Sequence, residues 1–598
     1  MKYNDKQLEA INSIDGTIQV IASAGGGKST VLVERIKNMI DKGISPSDIL
    51  AVSFTNASAT DLKKKLANKG IIVQTGTFHS ICKLLLEEIG YKNLTNFPNK
   101  YQIKRAMETK TGEKNLNIND IMSWIDYQKA YGLTYTDILQ AKESIYSGKG
   151  LLRDFFKIYE DYKAANHSYD FNDWMSLTIK EYNKGKIERK WKYVLVDECQ
   201  DLSGLQHELT TLFCSTDNIF QVGDLQQSIY SWRGALPELF QNFDKTHPNT
   251  KIINMNTNYR SCDNIVRASN HFIRPYNKGY KHYKDTIANN VNNGTISCKS
   301  YASKEDEAAI VVEKIEKMLD DGIDPKEIAI LYRNHSCSDF IEKELKLAGI
   351  EYKTFNENSL FDRKEIKGVL SVLRLLLDYN DDEAFEDLLK SRFYPTTFYK
   401  NTLIDNLRKD CGKRNYSMFE AFLDYNFKAD YERKNRDILI DMLNRLKIQK
   451  EKFLSADKIV DNIVKMFKVE NHLRENYEYE TYIDKLDSVK NFSSMGQRLQ
   501  VGPFVNMCLN GNVNNRKKQS DCIELRTIHS SKGLEWDTTF LVGLEQGKFP
   551  SSKSDILSEA RLMYVGTTRA KKELHVSCIN HSDFFDEYEK YFKKSLDK

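Results

Sequence analysis

Apolar positions change period along the chain. Thr17 to Ala22 (TIQVIA) is a continuous apolar run that predicts a buried strand. Ser23 to Lys28 is a glycine-rich turn, and Val31 to Ile40 carries apolar residues at helical spacing. Ile49 to Thr55 (ILAVSFT) predicts a second strand and Ala57 to Leu66 a second helix. Strands alternating with helices predict a parallel sheet covered on its faces. From about 91 to 185 the pattern is mainly helical. Strand runs return at Tyr193–Val196, Asn218–Val222 and Lys251–Met255. A second α/β block starts near Ile296, with strands at Ile328–Tyr332, Cys522–Thr527 and Thr539–Val542. Residues 380 to 510 are again almost wholly helical, charged and long-sided. The pattern predicts two α/β cores, each interrupted by a helical insertion, with no internal repeat, low-complexity tract or flexible linker.

Composition narrows the class. In 598 residues, 40% are hydrophobic and 29% charged, enough to build cores and exclude a disordered chain. No apolar run approaches the roughly 20 residues that cross a bilayer, and the first residues lack the apolar core of a signal peptide. A soluble, cytoplasmic protein without membrane partners is expected. The net charge of +4 excludes a histone-like polycation, while leaving room for a basic groove. Ten scattered cysteines form no C-x-x-C pair, so reduced, mostly buried thiols are expected rather than a zinc ribbon or disulfide framework.

Chemistry enters at residues 22–30, Ala22-Ser23-Ala24-Gly25-Gly26-Gly27-Lys28-Ser29-Thr30. This fits the phosphate-loop pattern G-x-x-x-x-G-K-[ST], with Ala22 at its first glycine and the required strand-to-helix context. Glycines let backbone N–H groups approach phosphates at a helix N-terminus. Lys28 suits β/γ-phosphate charge, and the Ser29 hydroxyl suits Mg²⁺. Downstream, YVLVDECQD sends Asp197 and Glu198 to the C-terminal edge of a buried strand, where ligands sit in open α/β sheets. Asp197 is the candidate Mg²⁺ carboxylate and Glu198 the candidate base for water. ATP and Mg²⁺ are therefore the expected cofactors.

With these motifs in order, the chain resembles the UvrD/Rep-like branch of superfamily 1 DNA helicases along nearly its full length. The resemblance is carried by Asn4-Asp5-Lys6-Gln7, by Val52-Ser53-Phe54-Thr55-Asn56 and by Gly76-Thr77-Phe78-His79-Ser80. It continues in Gly223 to Ala235 (GDLQQSIYSWRGA), Asn258-Tyr259-Arg260-Ser261, Thr527 to Glu535 (TIHSSKGLE) and Tyr564 to Ala570 (YVGTTRA). The resemblance implies two RecA-like motor domains. The first spans 1–90 and 186–275 around an insertion at 91–185. The second spans 276–379 and 511–598 around an insertion at 380–510. It implies that Gln7 reads adenine, Tyr259 stacks on the base, Gln227 senses the γ-phosphate and Glu535 contacts the ribose or nucleotide edge. Arg260 and Arg569 resemble arginine fingers, whose guanidinium forks suit a transferring phosphoryl group. Phe54, Tyr230 and Trp232 fall to the DNA groove, with Asn56, Thr77, His79 and His529 as polar contacts, while Phe78 is expected in the core. Stacking tolerates any base, as stepping along arbitrary sequence requires.

The implied activity is ATP-driven 3′-to-5′ movement on single-stranded DNA, with unwinding of tailed duplexes and protein partners at the insertions. Some features depart from the family pattern. Leu225-Gln226 stands where many relatives are acidic, and Cys199 where the position is often aromatic or small. The second insertion looks shorter than in housekeeping members, and the chain after Arg569 is too short for an appended nuclease domain. The short insertion keeps open a nucleic-acid-sensing ATPase subunit of a phage-defence or recombination complex. A P-loop kinase is a further alternative, one that has no use for the Tyr230/Trp232 loop. The basic runs Lys63–Lys65 and Arg516–Lys518 are expected to be solvated faces. Asp170-Phe171-Asn172-Asp173 resembles a family segment whose role the residues alone do not give.

Overall fold

The computed structural model describes residues 3–114, 116–137, 151–355, 358–414, 416–509 and 521–596. Arg516–Lys518 lie outside the described residues. Fourteen strands are described in chain order. β1 (Ile18–Ala22), β2 (Ile49–Ser53), β3 (Gln74–Thr77), β4 (Trp191–Val196), β5 (Cys214–Gly223) and β6 (Lys251–Met255) precede β7 (Thr257–Cys262) and β8 (Ile287–Asn290). Then follow β9 (Thr295–Tyr301), β10 (Ile328–Tyr332), β11 (Tyr352–Thr354), β12 (Ile523–Thr527), β13 (Trp536–Leu544) and β14 (Ala570–Ile579).

The fold is mixed α/β with two six-stranded sheets. The first has the order β3-β2-β4-β5-β1-β6 and the second β11-β12-β10-β13-β14-β9. Every pairing in both is parallel. Parallel strands covered on both faces need uninterrupted apolar runs, and β1, β2 and β10 are buried at every position. The strands that the sequence pattern does not announce include short, partly polar ones, but also β14, ten residues long and buried over its last six. β3 and β11 are sheet edges of four and three residues with half-exposed side chains. β7 and β8 form a separate two-stranded ribbon.

Helices between Lys100 and Asn183 interrupt the first sheet, and helices between Lys364 and Leu509 interrupt the second. Their cores differ. The first insertion has its own cluster around Ile103, Ile125, Phe155 and Tyr159. The second shares one continuous core with its sheet, running from Ile330, Leu525 and Phe540 to Leu443, Ile463 and Phe492. A further cluster spans the seam between the halves, joining Ala24, Ile229 and Cys262 to Leu541, Tyr564 and Val565. Phe78 is buried in the first half's core. The cysteines are unpaired, and seven of the ten are buried. Among the described residues no helix is long and apolar enough to cross a membrane.

Candidate nucleotide site and strand track at the seam

Three neighbouring strands of the first sheet, β4, β5 and β1, deliver their C-terminal ends side by side. β1 leads into the glycine loop and the helix Lys28–Asp41, whose first residue is Lys28 itself. Gly25 and Gly27 have φ of +68° and +81°, a region costly for side chains with a Cβ. A Cβ on Gly25 would also stand 2.8 Å from the Cβ of Arg260. The loop is fastened to the ribbon strand β7: the Asn258 amide donates to the Ala24 carbonyl at 2.9 Å, and the Tyr259 N–H to the Gly25 carbonyl at 3.0 Å. Ala22, Ser23 and Ala24 are buried, whereas Lys28, Ser29 and Thr30 are partly open.

Gln7 is buried against this loop. Its Nε2 donates to the Gly26 carbonyl at 3.2 Å, while its Oε1 accepts the Asn4 N–H at 3.1 Å in a capping box on the helix Asp5–Asn12. Tyr259 is 40% exposed, and its hydroxyl accepts from the Asn4 amide at 2.8 Å. Gln7 and Tyr259 therefore flank one side of the loop through a shared partner, Asn4.

β4 ends in Asp197 and Glu198. Glu198 adopts φ +53°, a left-handed conformation that costs an ordinary residue on the order of 1–3 kcal/mol and recurs at functional sites. Burial and the adjacent Glu198 charge push the Asp197 carboxyl up. Burial also disfavours the Glu198 carboxylate, yet Lys28, Lys532, a hydrogen bond from Gln200 and Arg569 outweigh it and hold the carboxyl below its usual range. The Gln200 Nε2 lies 2.6 Å from Glu198 Oε2, and its Oε1 accepts the Asp224 N–H at 2.9 Å. Asp224, at the end of β5, accepts from Gln227 Nε2 at 2.7 Å. Gln200 thus ties Glu198 to the Gln227 loop, a connection the sequence reading did not assign.

The second half closes the site. Lys532 ion-pairs with buried Asp201, donates to the Gln227 carbonyl at 2.8 Å and lies 3.9 Å from Glu198. Its position inside TIHSSKGLE was the only sequence signal for it. Arg569 is fully buried, and burial lowers its pKa to about 9, with neighbouring Arg260 acting in the same direction. It donates to the carbonyls of Val565 (2.9 Å) and Leu534 (3.1 Å), both in its own half. Arg260 bonds Glu535 at 2.6 Å and the Thr568 carbonyl at 3.1 Å, crossing the seam.

Oxygen donors are the natural ligands of Mg²⁺, and the donor set here is a serine hydroxyl and a buried carboxylate. Asp197 accepts the Glu198 N–H on one oxygen only. The adjacent Glu198 adds negative charge beside Asp197 that a divalent cation suits. Ser29 and Asp197 therefore fit the expected ion.

The aromatic residues form one array at the same seam. Phe54 stacks on Tyr230 at 5.4 Å, and His529 meets Tyr230 at 6.4 Å and Trp232 edge-on at 6.5 Å. Trp232 is 57% exposed, with the Arg233 guanidinium 4.5 Å over its ring. Burial lowers the His529 pKa to about 3, so it is a neutral hydrogen-bonding group at pH 7. Asn56 is exposed at the start of the helix Asn56–Ala67. Thr77 and His79 are not part of this array. The Thr77 hydroxyl is turned to capping the helix Phe78–Glu88, and the ring contact of His79 is with exposed Phe171 at 5.7 Å. Burial lowers the His79 pKa to about 4. Lys63 and Lys64 are exposed, and Lys65 pairs with Asp61 within the same helix.

Two lobes closing on a phosphate loop define a nucleotide-driven machine with an aromatic track at its seam. Residues 3–248 match the UvrD/REP helicase N-terminal domain, and residues 253–581 match the UvrD-like helicase C-terminal domain. The chain belongs to the UvrD/Rep helicase family. It is 30% identical to the ATP-dependent DNA helicase Rep of Buchnera aphidicola (subsp. Schizaphis graminum), over 96% of this chain and 93% of that protein. It is 29% identical to the ATP-dependent DNA helicase PcrA of Bacillus subtilis, covering 82% of it. A probable DNA helicase II homolog of Mycoplasma capricolum is also 29% identical, with 84% covered.

Proposed function

We propose that this protein is an ATP-dependent DNA helicase that moves 3′ to 5′ on single-stranded DNA and unwinds tailed duplexes in the cytoplasm, serving repair, recombination or replication. The two motor domains are 1–90 with 186–275 and 276–379 with 511–598, carrying insertions at 91–185 and 380–510. The similarity to Rep and PcrA supports the DNA substrate. The observation that carries the reading is Glu198. This carboxylate of the first half stands 3.9 Å from Lys532 of the other half, which also ion-pairs with Asp201 and donates to the Gln227 carbonyl. Lys28 of its own half and Lys532 and Arg569 of the other favour its charged form. A base that must accept a proton from water has to be charged, and here its charge depends on both halves.

In this mechanism the glycine loop and Lys28 bind the β/γ-phosphates, and Gln7 and Tyr259 hold the base. Glu535 meets the ribose edge once Arg260 exchanges it for phosphate. Ser29 and Asp197 would hold Mg²⁺, which would supply charge neutralisation at the phosphates. Glu198 takes the proton of the attacking water, Gln227 reads the γ-phosphate, and Arg260 and Arg569 stabilise the transferring group. Such fingers are worth about 10³–10⁵ in turnover in related chemistry. Bases stack on Phe54, Tyr230 and Trp232 with polar support from Asn56 and His529. Each turnover changes the gap between the halves that carry this track.

ATPase and strand-release assays with 3′-tailed, 5′-tailed and blunt duplexes test the proposal. Release from 3′-tailed DNA alone is expected. ATPase without release favours a nucleic-acid-sensing subunit. Lys28→Ala and Glu198→Gln are each expected to lose at least a hundredfold in turnover, with Glu198→Gln still binding ATP. Full hydrolysis by either variant rejects the site.

A further inference from the structure

The two faces of the second sheet differ in character. On β14 and β9, Leu574, Val576 and Ile296 point into an apolar cluster. The opposite face carries Glu573, His575 and Ser577 of β14 against Thr295, Ser297 and Lys299 of β9, in direct register. The helix Lys304–Asp320 lies over this face: Glu307 bonds Ser577, and Lys314 reaches His575. A strand face under a helix is ordinarily apolar. Here polar side chains share it with apolar ones, and the face encloses a cavity of about 50 Å³ walled by Ile310, Val311 and Phe540 on one part and by Ser297, Lys299, Tyr301, Lys314 and His575 on the other. One water needs about 10–15 Å³, so the space holds more than one.

Donors outnumber acceptors around this cavity. The His575 imidazole is buried, and burial keeps it neutral at pH 7. Its Nε2 lies 3.2 Å from the Glu573 carboxylate and so carries the proton, leaving one lone pair on Nδ1. Two donors face that lone pair, the Ser297 hydroxyl at 2.6 Å and the Lys314 ammonium at 3.1 Å. Only one of them is satisfied there. Lys314 has no carboxylate within ion-pair distance among the described residues, and neither does Lys299. The Tyr301 hydroxyl has no hydrogen-bond partner among them. The other buried acid, Glu307, is already engaged by the Ser577 hydroxyl and the Gly543 N–H. Two lysines and two hydroxyl-bearing residues therefore line a small space beside a single partly exposed carboxylate, Lys299 at its solvent-exposed edge. The geometry points to a second anion site, separate from the nucleotide loop: a pocket for one phosphate-class oxyanion, held by Lys314, Lys299, Ser297 and Tyr301 with His575 as the buried backing. The oxyanion is either free orthophosphate or the terminal monoester of a DNA strand, since the cavity admits one such group.

Calorimetric titration of the full-length chain with sodium phosphate, at constant ionic strength against chloride, tests this in a Lys28→Ala background that removes phosphate binding at the glycine loop. One phosphate per chain is expected. Adding Lys314→Met is expected to weaken binding at least tenfold, and adding Lys299→Met at exposed Lys299 about three- to tenfold, with basal ATPase of the corresponding single variants within twofold of the parent. Absence of phosphate binding in Lys28→Ala, or unchanged binding in the Lys299→Met and Lys314→Met backgrounds, overturns the site. Should Lys314→Met fail to fold, Lys299→Met decides. Competition by a 5′-phosphorylated trinucleotide, and none by its unphosphorylated form, assigns the site to DNA ends; no competition by either assigns it to the free ion.

Discussion

Glu198 is reached by four groups from separate stretches of chain, and only Gln200 is its near neighbour in sequence. Gln200 is wholly buried and divides its amide between Glu198 and the Asp224 backbone. It touches no nucleotide position of its own and acts by positioning. Gln200→Leu is expected to lower kcat about tenfold or more while leaving the KM for ATP within threefold. The sign of the pH effect follows from the lost hydrogen bond. That bond lowers the Glu198 pKa, so its removal raises the pKa, and the acidic limb of the kcat–pH profile moves to higher pH. A profile with an unmoved acidic limb removes Gln200 from this role. Gln200 stood in the quoted motif, yet nothing in YVLVDECQD distinguishes a glutamine that bridges two strand ends from one that faces water.

At the scale of elements, the acidic-aromatic segment 170–173 acquires a structural role. Asp170 caps the helix Phe171–Asn183, and with Asp173 and Glu160 it surrounds the ammonium groups of Lys129 and Lys163. Both lysines are almost wholly buried. Three helices are pinned at one point, and Phe171 is held at the surface beside His79. Asp173 and Glu160 still face both ammonium groups when Asp170 is replaced, so Asp170→Asn removes charge-assisted hydrogen bonds without stranding a charge and is expected to lower the stability of the fold by about 1.5–3 kcal/mol. Burial opposes the Asp170 charge, but Lys129 and Lys163 outweigh it and depress its pKa in the fold. The stabilisation is then full above the unfolded value of about 3.9 and is lost as pH falls below it. The gap between wild type and Asp170→Asn, followed by denaturant titration, should stay constant from pH 8 to 5 and shrink below about pH 4. A gap that widens on acidification contradicts the assignment.

Across the whole molecule, one turn of the second half serves both sites. His529 meets the Tyr230–Trp232 array, and three residues on, Lys532 enters the acidic cluster around Glu198. The insertions also touch: the Asn117 amide donates to the Tyr477 carbonyl at 3.0 Å, and the Tyr479 N–H to Asp120 at 2.8 Å. The turn His529–Lys532 thus joins the aromatic array to the acidic cluster. Trp232→Ala is expected to keep basal ATPase within twofold and to lose at least fivefold of its stimulation by single-stranded DNA. Undiminished stimulation takes Trp232 out of the track. Binding of a single strand should weaken with salt at a log–log slope of about −0.7 per phosphate neutralised.

The sequence by itself determined most of the two sheets' buried strands, though not β14, together with the glycine loop and the Asp197–Glu198 strand end, because continuous apolar runs and left-handed glycines are local requirements. Polar edge strands such as β3 carried no such signal. Only the tertiary structure decided which distant groups meet. Lys532 and Asp201, Arg260 and Glu535, and Ser297 and His575 pair across more than 250 residues, where no periodicity reaches. Their contacts follow from strand order and from the closeness of the two halves, which set the distances on which charge and hydrogen bonding depend.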